Sequence, residues 1–247
     1  MKKRVICIDI SIGSFEEQMN KILENAKHHI SSYVCVANVH MLVEAHKNPD
    51  FAKIVNESDL AVPDGMPIAK SMDLLHGIKQ ERVAGLEIIQ HLLKESSQKQ
   101  IKVGFYGGTQ EIQDETKKYI ESNFPNVFVT NYKPHPFREL SPEEEQNLAN
   151  EFNASHTQIL FVATGCPRQE KWMSMHKGNI NACMIGIGGA LTVVTGMKKN
   201  APEWMRNNSL EWLFRLILEP KRLFKRYAVT NTTFLWLLSK EVVFRKK

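Results

Sequence analysis

Short apolar runs alternate with segments of helical periodicity along most of this chain. The runs that predict buried strands are Val5–Ile10, Tyr33–Ala37, Leu60–Val62, Val103–Tyr106, Val127–Thr130, Ile159–Ala163 and Met184–Ile187. Apolar residues at helical spacing lie between them, and capping boxes at Ser14 and Ser141 predict two helix starts. This alternation predicts an α/β fold with a mostly parallel, Rossmann-like sheet and helices on both of its faces.

The composition changes after about Gly196, where positive charge and aromatic side chains become mixed. From residue 206 to the end the chain carries ten Lys or Arg and three acidic residues, a net charge of +7 against +5 for the whole chain. Three tryptophans, Trp204, Trp212 and Trp236, lie in the same region. We therefore predict a main α/β domain over residues 1–196 and a basic, amphipathic helical appendage over residues 197–247, which suits an anionic membrane surface.

The sequence offers no pattern for a metal site or for export. The four cysteines are widely spaced without a CxxC pair, which fits a reducing cytoplasm and argues against zinc. Neither HExxH nor a DxD pair occurs, so we predict no metal and no cofactor. We expect no signal peptide, because the first residues lack a long apolar run. No apolar stretch approaches the roughly 20 residues of a membrane-spanning helix, and no nucleic-acid-binding motif is present, so we expect no nucleic-acid partner.

Polar residues and glycines follow the predicted strands, at the edge where open α/β sheets bind ligands. They are Asn38, His40, Asp64, Gly107, Gly108, Gly165 and Gly188. Gln169 and Glu170 fall in the first turn of the helix after Gly165, from where they can face a ligand. Arg82 lies just before another predicted helix, and its planar guanidinium suits an anionic group.

Each of these residues also has a structural interpretation that the sequence leaves open. The glycine pairs fit a tight turn as well as a phosphate held at a helix N-terminus. Asp64 fits the geometry of a Pro-Asp-Gly turn as well as a general base. His40 fits a buried structural histidine, and Arg82 fits a surface ion pair with Glu87. The basic residues of the tail fit a solvated surface, and among them are Arg215, Arg222 and Arg226.

Nine short segments, in order over nearly the whole chain, share the pattern of one known family. They are residues 37–41 (ANVHM), 63–67 (PDGMP), 82–87 (RVAGLE), 106–108 (YGG), 165–170 (GCPRQE), 186–189 (GIGG), 201–204 (APEW), 210–215 (LEWLFR) and 219–222 (EPKR). Each segment alone is weak, but the ordered set is specific. The chain resembles the WecG/TagA/CpsF family of glycosyltransferases.

The resemblance implies a cytoplasmic, peripheral enzyme at the inner face of the bacterial cell membrane. Such enzymes transfer a sugar from a UDP-sugar donor to an undecaprenyl-diphosphate-linked acceptor, with inversion and without a metal. The best-known family reaction moves N-acetylmannosamine onto lipid-linked N-acetylglucosamine in wall teichoic acid synthesis. By this resemblance residues 1–196 bind the nucleotide-sugar and carry catalysis.

The resemblance also implies roles for individual residues. Asp64 matches the general base of the family, and Arg82 and Gln169 match residues of its site. The tail arginines Arg215 and Arg222 match positions that complete the pocket at the membrane and meet a diphosphate. A third tail position falls on Lys225 or Arg226.

Two departures from the family pattern leave the donor sugar open. Many members have Thr where this chain has Val36, and members commonly have Asp where it has Thr192. A family member that uses another UDP-hexose or acceptor is therefore an alternative, as is a non-catalytic protein that binds a nucleotide-sugar or a lipid carrier. The chain lacks a dinucleotide fingerprint and a Tyr-x-x-x-Lys pair, which argues against a redox epimerase. A homo-oligomer is a further expectation, because self-association would cover apolar tail residues away from a membrane.

Overall fold

The computed structural model describes residues 1–245 and has an α/β fold. Its strands are β1 (Lys2–Val5), β2 (Ile8–Ser11), β3 (Ser32–Ala37), β4 (Leu60–Pro63), β5 (Val103–Gly107), β6 (Val129–Lys133), β7 (Ile159–Ala163) and β8 (Cys183–Gly186). Its helices are α1 (Phe15–Lys27), α2 (Val39–Lys47), α3 (Pro49–Asn56), α4 (Met66–His76), α5 (Gly85–Lys99), α6 (Gln110–Asn123), α7 (Pro142–Ala154), α8 (Arg168–Met175), α9 (Ala190–Val194), α10 (Glu203–Asn207), α11 (Glu211–Leu218) and α12 (Pro220–Arg245).

Six strands form one parallel sheet in the order β4-β3-β8-β7-β5-β6, which confirms the predicted α/β architecture. A hydrophobic core lies on each face of the sheet, and successive side chains of a strand point to opposite faces. In β3, Tyr33 and Cys35 join one hydrophobic core, whereas Val34 and Val36 join a second, separate core. The strands therefore read as continuous apolar runs rather than as alternating ones.

The prediction of a single buried strand over Val5–Ile10 is wrong. The chain reverses at Ile6 and Cys7, where Ile6 adopts a positive φ of 60°. β1 and β2 consequently pair antiparallel in a small sheet of their own. Val5 and Ile8 are both fully buried in the first core, so the apolar run reflects burial on either side of a tight turn rather than one extended strand.

Helix starts follow the local capping chemistry that the sequence predicts. Ser14 and Ser141 each accept a hydrogen bond from the backbone N–H three residues later. Glu17 and Glu144 each accept a hydrogen bond from the N–H of the capping serine, which completes a capping box at α1 and at α7. These two helix starts are confirmed.

The C-terminal helices lie against the carboxyl edge of the sheet. α12 contacts α2 and α4, which begin directly after β3 and β4. Leu223, Phe234 and Leu237 of α12 are buried, whereas Phe224, Leu235 and Trp236 are exposed, so apolar side chains lie on more than one face of this helix. No helix within residues 1–245 is long and apolar enough to cross a bilayer. The division into domains at residue 196 stays a prediction.

Candidate active site

A cavity of about 630 Å³ lies where the carboxyl ends of β3, β4 and β8 meet the C-terminal helices. Its walls include most of the residues singled out from the sequence. Those that line it are Asn38, His40, Asp64, Arg82, Gly165, Gln169, Gly188, Arg215, Arg222 and Arg226. Parallel strands bring their carboxyl ends to one edge, so loops far apart in sequence converge here.

Asp64 follows β4 directly, and a hydrogen bond of its backbone N–H holds it in place. Its N–H donates to the carbonyl oxygen of Ala37 at 2.8 Å, which fixes the loops after β3 and β4 to each other. Gly65 next to it adopts a φ of 100°, a conformation that side chains rarely allow. The carboxyl group of Asp64 therefore faces the cavity from a rigid turn.

The pKa of Asp64 is raised from 3.8 to about 6, first by burial and second by the negative charge of Glu211. Arg215, Asn38 and Arg82 act in the opposite direction. Asn38 caps α2 by accepting from the N–H of Met41 at 3.1 Å, which leaves its Nδ2 to donate to Asp64 Oδ2 at 3.5 Å. A carboxyl group with a pKa near neutrality is suited to general acid–base chemistry.

Arg82 takes part in a network of ion pairs rather than in an isolated surface pair. Its side chain is only 12% exposed, and its Nη2 lies 2.5 Å from Glu87 Oε1. Its Nη1 lies 3.4 Å from Glu211 Oε2, and the other oxygen of Glu211 lies 2.6 Å from Arg215 Nη2. One carboxylate of α11 thus bridges an arginine of the sheet edge and an arginine of the appendage.

The remaining basic residues of the cavity differ in their partners. Arg222 forms an ion pair with Glu219, which also binds Lys198 at 2.8 Å. Arg226 forms no ion pair with any other residue in the described part of the chain, and its guanidinium lies 5.3 Å from the ring centre of Tyr227. Arg226 is therefore the cavity arginine whose charge is most available to an anionic ligand.

His40 lies in the first turn of α2, beside Arg226. Burial lowers the pKa of His40 below its usual 6.5, and the positive charge of Arg226 lowers it further. The imidazole of His40 is therefore uncharged at pH 7, and in this form it can donate or accept a hydrogen bond.

Gln169 and Glu170 are adjacent in sequence, but only Gln169 lines the cavity. Gln169 Oε1 accepts from the N–H of Gly165 at 3.2 Å, and its Nε2 donates to Glu170 Oε1 at 2.7 Å. Glu170 is completely buried behind Gln169, and burial raises its pKa to about 7. The expectation that Glu170 contacts a ligand therefore does not match its position.

Gly107 and Gly108 are not brought to this cavity. Gly107 ends β5 and Gly108 follows it, and β5 is separated from β8 by β7. Gly107 adopts a φ of 117°, and a Cβ atom there would lie 2.6 Å from the carbonyl carbon of Ala163. A Cβ atom on Gly108 would lie 3.0 Å from the side chain of Ile112. Close packing against the backbone of Ala163 and the side chain of Ile112 accounts for both glycines, which favours the tight-turn interpretation.

Sequence reasoning missed several cavity residues on the C-terminal helices and the segment before them. These are Lys198, Arg206, Glu211 and Tyr227. Arg206 Nη1 lies 3.7 Å from Glu87 Oε1 and so joins the ion-pair network of Arg82. The sequence did contain acidic and basic residues three or four positions apart, such as Glu211 and Arg215. The same spacing is also typical of a solvated helix surface, so it did not indicate a site.

The two departures from the family pattern differ in their position. Val36 lines the cavity. Its Cγ1 atom lies 3.8 Å from the place where a Cβ atom on Gly85 would be. Thr192 is not among the cavity residues, and its hydroxyl donates to the carbonyl oxygen of Gly189 at 2.9 Å. Of the two, Val36 is therefore the position that bears on what the cavity accepts. Over residues 1–245, no three or more His, Cys, Asp or Glu side chains are grouped so that they could hold a metal ion.

Comparison with known proteins identifies the family. A relative from Bacillus subtilis (strain 168) is 27% identical over 229 residues, which cover 90% of this chain and 87% of the relative. Relatives from Bacillus spizizenii and Staphylococcus aureus (strain NCTC 8325) are 28% and 26% identical over 192 residues, which cover 77% of this chain and 73% and 74% of the relatives. All three are named N-acetylglucosaminyldiphosphoundecaprenol N-acetyl-beta-D-mannosaminyltransferase.

The sequence model of the glycosyl transferase WecG/TagA/CpsF family matches residues 3–247, which is nearly the whole chain. The match includes both the sheet and the C-terminal helices that close the cavity. The ordered motifs of the sequence had indicated the same family. The chain therefore belongs to the WecG/TagA/CpsF family and is a glycosyltransferase.

Proposed function

We propose that this protein transfers N-acetylmannosamine from its UDP-sugar to N-acetylglucosamine linked to undecaprenyl diphosphate, with inversion and without a metal ion. The observation that carries the proposal is a carboxyl group of raised pKa, Asp64, in a cavity whose other walls hold five arginines. The names of the relatives support the acceptor and the transferred sugar. We propose that the product enters cell-envelope polysaccharide or teichoic acid synthesis, as the family resemblance implies.

The reaction has one bond formed and one broken at the anomeric carbon of the donor. The acceptor hydroxyl oxygen attacks this carbon from the face opposite the leaving group, and its proton passes to the carboxylate of Asp64. The bond between the anomeric carbon and the diphosphate oxygen breaks, and UDP leaves with its electron pair. The configuration of the transferred sugar is thereby inverted.

The arginines stabilise the charge that develops on the leaving diphosphate. Guanidinium groups bind phosphate oxygens through two parallel hydrogen bonds, and they do so more strongly in a cavity that excludes water. We assign this role to Arg226, Arg215 and Arg222, with Arg82 holding the network together. The proposal needs no metal ion, because these side chains supply the positive charge.

The appendage would bring the cavity to the membrane that holds the acceptor. Exposed apolar side chains of α12, among them Leu235, Trp236 and Phe244, lie on a helix that is rich in basic residues. Such a surface suits the anionic inner leaflet of the cell membrane. We propose a cytoplasmic, peripheral protein, in which self-association covers these side chains away from the bilayer and nucleic acid is not a partner.

Turnover with a panel of UDP-sugars tests the proposal. A prenyl-diphosphate-linked N-acetylglucosamine acceptor is incubated with each donor in the presence of a chelator, and UDP and the lipid product are measured. We expect UDP-N-acetylmannosamine to be consumed and the lipid to gain one sugar. Loss of turnover in the chelator would contradict metal independence, and an unchanged Asp64→Asn variant would contradict the role of the base.

A different donor sugar is the second candidate, and the position of Val36 favours it. A valine in the cavity wall offers a ligand no hydroxyl, so a contact that a threonine would make is absent at that point. Turnover with another UDP-hexose alone would keep the mechanism and change the substrate. If Val36→Thr then raised activity with UDP-N-acetylmannosamine, the specificity would be assigned to this position.

A further inference from the structure

Glu170 is a fully buried carboxylic acid directly behind the wall of the cavity. It is 0% exposed, and its nearest polar partner is the side-chain amide of Gln169, at 2.7 Å. A buried acid is costly unless it is hydrogen-bonded, so its retention in a core position needs an explanation. The thiol of Cys166 forms a hydrogen bond with it, and Cys35 lies near it, but neither supplies a positive charge that would account for a buried carboxyl group.

The amide of Gln169 is held at both of its ends. Gly165 donates its N–H to Oε1, and Glu170 accepts from Nε2, so both contacts select the same orientation of the amide. Gly186 at the end of β8 leaves just enough room for this amide, since a Cβ atom there would lie 2.8 Å from Nε2. A Cβ atom at Gly188 would lie 3.5 Å from Oε1, which is an ordinary van der Waals contact. The side chain therefore has little freedom to rotate.

We propose that Glu170 is a positioning residue, which fixes the amide of Gln169 so that it presents a defined donor and acceptor to the sugar or diphosphate of the bound donor. An amide has two N–H donors and two acceptor lone pairs, and the two internal contacts use one of each. One N–H and one lone pair remain for a ligand. The inference rests on the proposed function, because it takes Gln169 to be part of the transfer site.

Replacement of Glu170 would release one end of this amide. The Nε2 group would lose its acceptor in a buried place, and the amide would gain freedom to turn about its last bond. A small misplacement of a group that orients a reacting ligand costs up to about a hundredfold in rate. Glu170→Gln keeps an oxygen that can accept from Nε2, whereas Glu170→Met keeps the volume but has no strong acceptor.

The experiment is a double-mutant cycle on transfer activity at pH 8. It compares the wild type with Glu170→Met, Gln169→Ala and the double variant, and it adds Glu170→Gln as the conservative replacement. Thr116→Val is the matched control, because Thr116 is equally buried on α6 and donates to the carbonyl of Ile112 at 2.7 Å, away from the cavity. Urea unfolding reports the stability of every variant in parallel.

We expect Glu170→Met to lower kcat/KM by roughly tenfold to a hundredfold, with Glu170→Gln restoring most of the activity. In the Gln169→Ala background, Glu170→Met should cause no further loss, because the residue through which it acts is gone. Thr116→Val should lose stability and keep its activity. Multiplying losses in the double variant, or a loss of stability alone in Glu170→Met, would overturn the proposal.

A second readout separates this inference from the proposed function. In ¹⁵N-labelled protein the side-chain amide resonances of Gln169, assigned from Gln169→Ala, should shift strongly in Glu170→Met and little in Glu170→Gln. A wild type that turns over no UDP-sugar would refute the proposed function, and these resonances would still decide the positioning claim. Resonances that are the same in all Glu170 variants would refute the positioning claim alone.

Discussion

The acid limb of the pH–rate profile is the most quantitative consequence of the site. Burial and the charge of Glu211 raise the pKa of Asp64 to about 6. A general base acts only when it is ionised, and kcat/KM reports the pKa of the free enzyme. The perturbation is therefore pH itself, and kcat/KM is the quantity that responds to it.

The expected size follows from the ionised fraction of Asp64. With a pKa of about 6, roughly nine tenths of the carboxyl groups are ionised at pH 7 and roughly one tenth at pH 5. An aspartate with the ordinary pKa of 3.8 would still be about nine tenths ionised at pH 5. We predict that kcat/KM falls about tenfold from pH 7 to pH 5, where an unperturbed base would lose almost nothing.

The assay measures initial rates of UDP release at low donor concentration between pH 4.5 and pH 8.5. Glu211→Gln should move the acid limb to lower pH, because it removes a negative charge that raises the pKa of Asp64. Glu170 has a pKa of about 7 and could contribute a limb of its own, but Glu211 is not among the causes of its shift. Glu170→Gln therefore shows which part of the profile belongs to Asp64.

A flat profile between pH 5 and pH 7 would refute this reasoning. So would an acid limb that stays in place, or moves to higher pH, in Glu211→Gln. Either result would mean that Asp64 is not the group whose ionisation permits transfer, or that its surroundings do not raise its pKa. Retained folding at pH 5, followed by circular dichroism, is the necessary control.

Three further predictions concern stability, ligand binding and the membrane. Asp64→Asn should raise the free energy of unfolding by about 1–3 kcal/mol at pH 8. Ionised Asp64 destabilises the folded protein, and this effect grows as the pH rises from 3.8 to about 6 and is complete above it. An unchanged free energy of unfolding in urea would contradict this prediction. Arg226→Met should raise the Kd for UDP roughly tenfold in calorimetry, and an unchanged Kd would remove this arginine from the diphosphate site. Leu235→Ser combined with Trp236→Ser should lower the recovery of the protein on anionic vesicles about tenfold or more. Phe128 is equally exposed, and Phe128→Ser should leave the recovery unchanged. Equal recovery of the wild type and both variants would contradict membrane binding through α12.

The sequence predicted the edge of the sheet at which the candidate site lies, and the reason is geometric. Asn38 and Asp64 directly follow apolar strands, and the carboxyl ends of parallel strands always meet at one edge. The apolar runs at residues 33–37 and 159–163 were long enough to be recognised as strands. Periodicity and local capping chemistry therefore sufficed for the framework.

The order of strands in the sheet could not be predicted, and this explains the displaced glycines. Gly107 ends β5 and Asp64 follows β4, but β5 lies four positions from β4 in the sheet order. Which strands are neighbours is decided by tertiary packing, for which short apolar runs carry little information. The reversal at Ile6 was missed for a related reason, since an apolar run does not show where the chain turns.

The electrostatics of the C-terminal helices were also beyond the sequence. The basic residues there indicated a charged surface, and the positions of Arg215 and Arg222 in the cavity followed only from the family resemblance. Their pairing with Glu211 and Glu219 depends on how α11 and α12 lie over the sheet edge. The effect of Glu211 on the pKa of Asp64 depends on the same packing, so no local pattern could reveal it.

The mass of the lipid product shows whether this protein transfers a sugar to a lipid-linked acceptor with Asp64 as its base. The wild type and Asp64→Asn are incubated with UDP-N-acetylmannosamine and prenyl-diphosphate-linked N-acetylglucosamine, and the mass of the lipid product is measured. We predict a product heavier by one N-acetylhexosamine for the wild type, and a loss of most turnover with UDP binding retained for Asp64→Asn. A wild type that binds UDP but transfers no sugar from any donor, or an Asp64→Asn variant of full activity, would contradict the account.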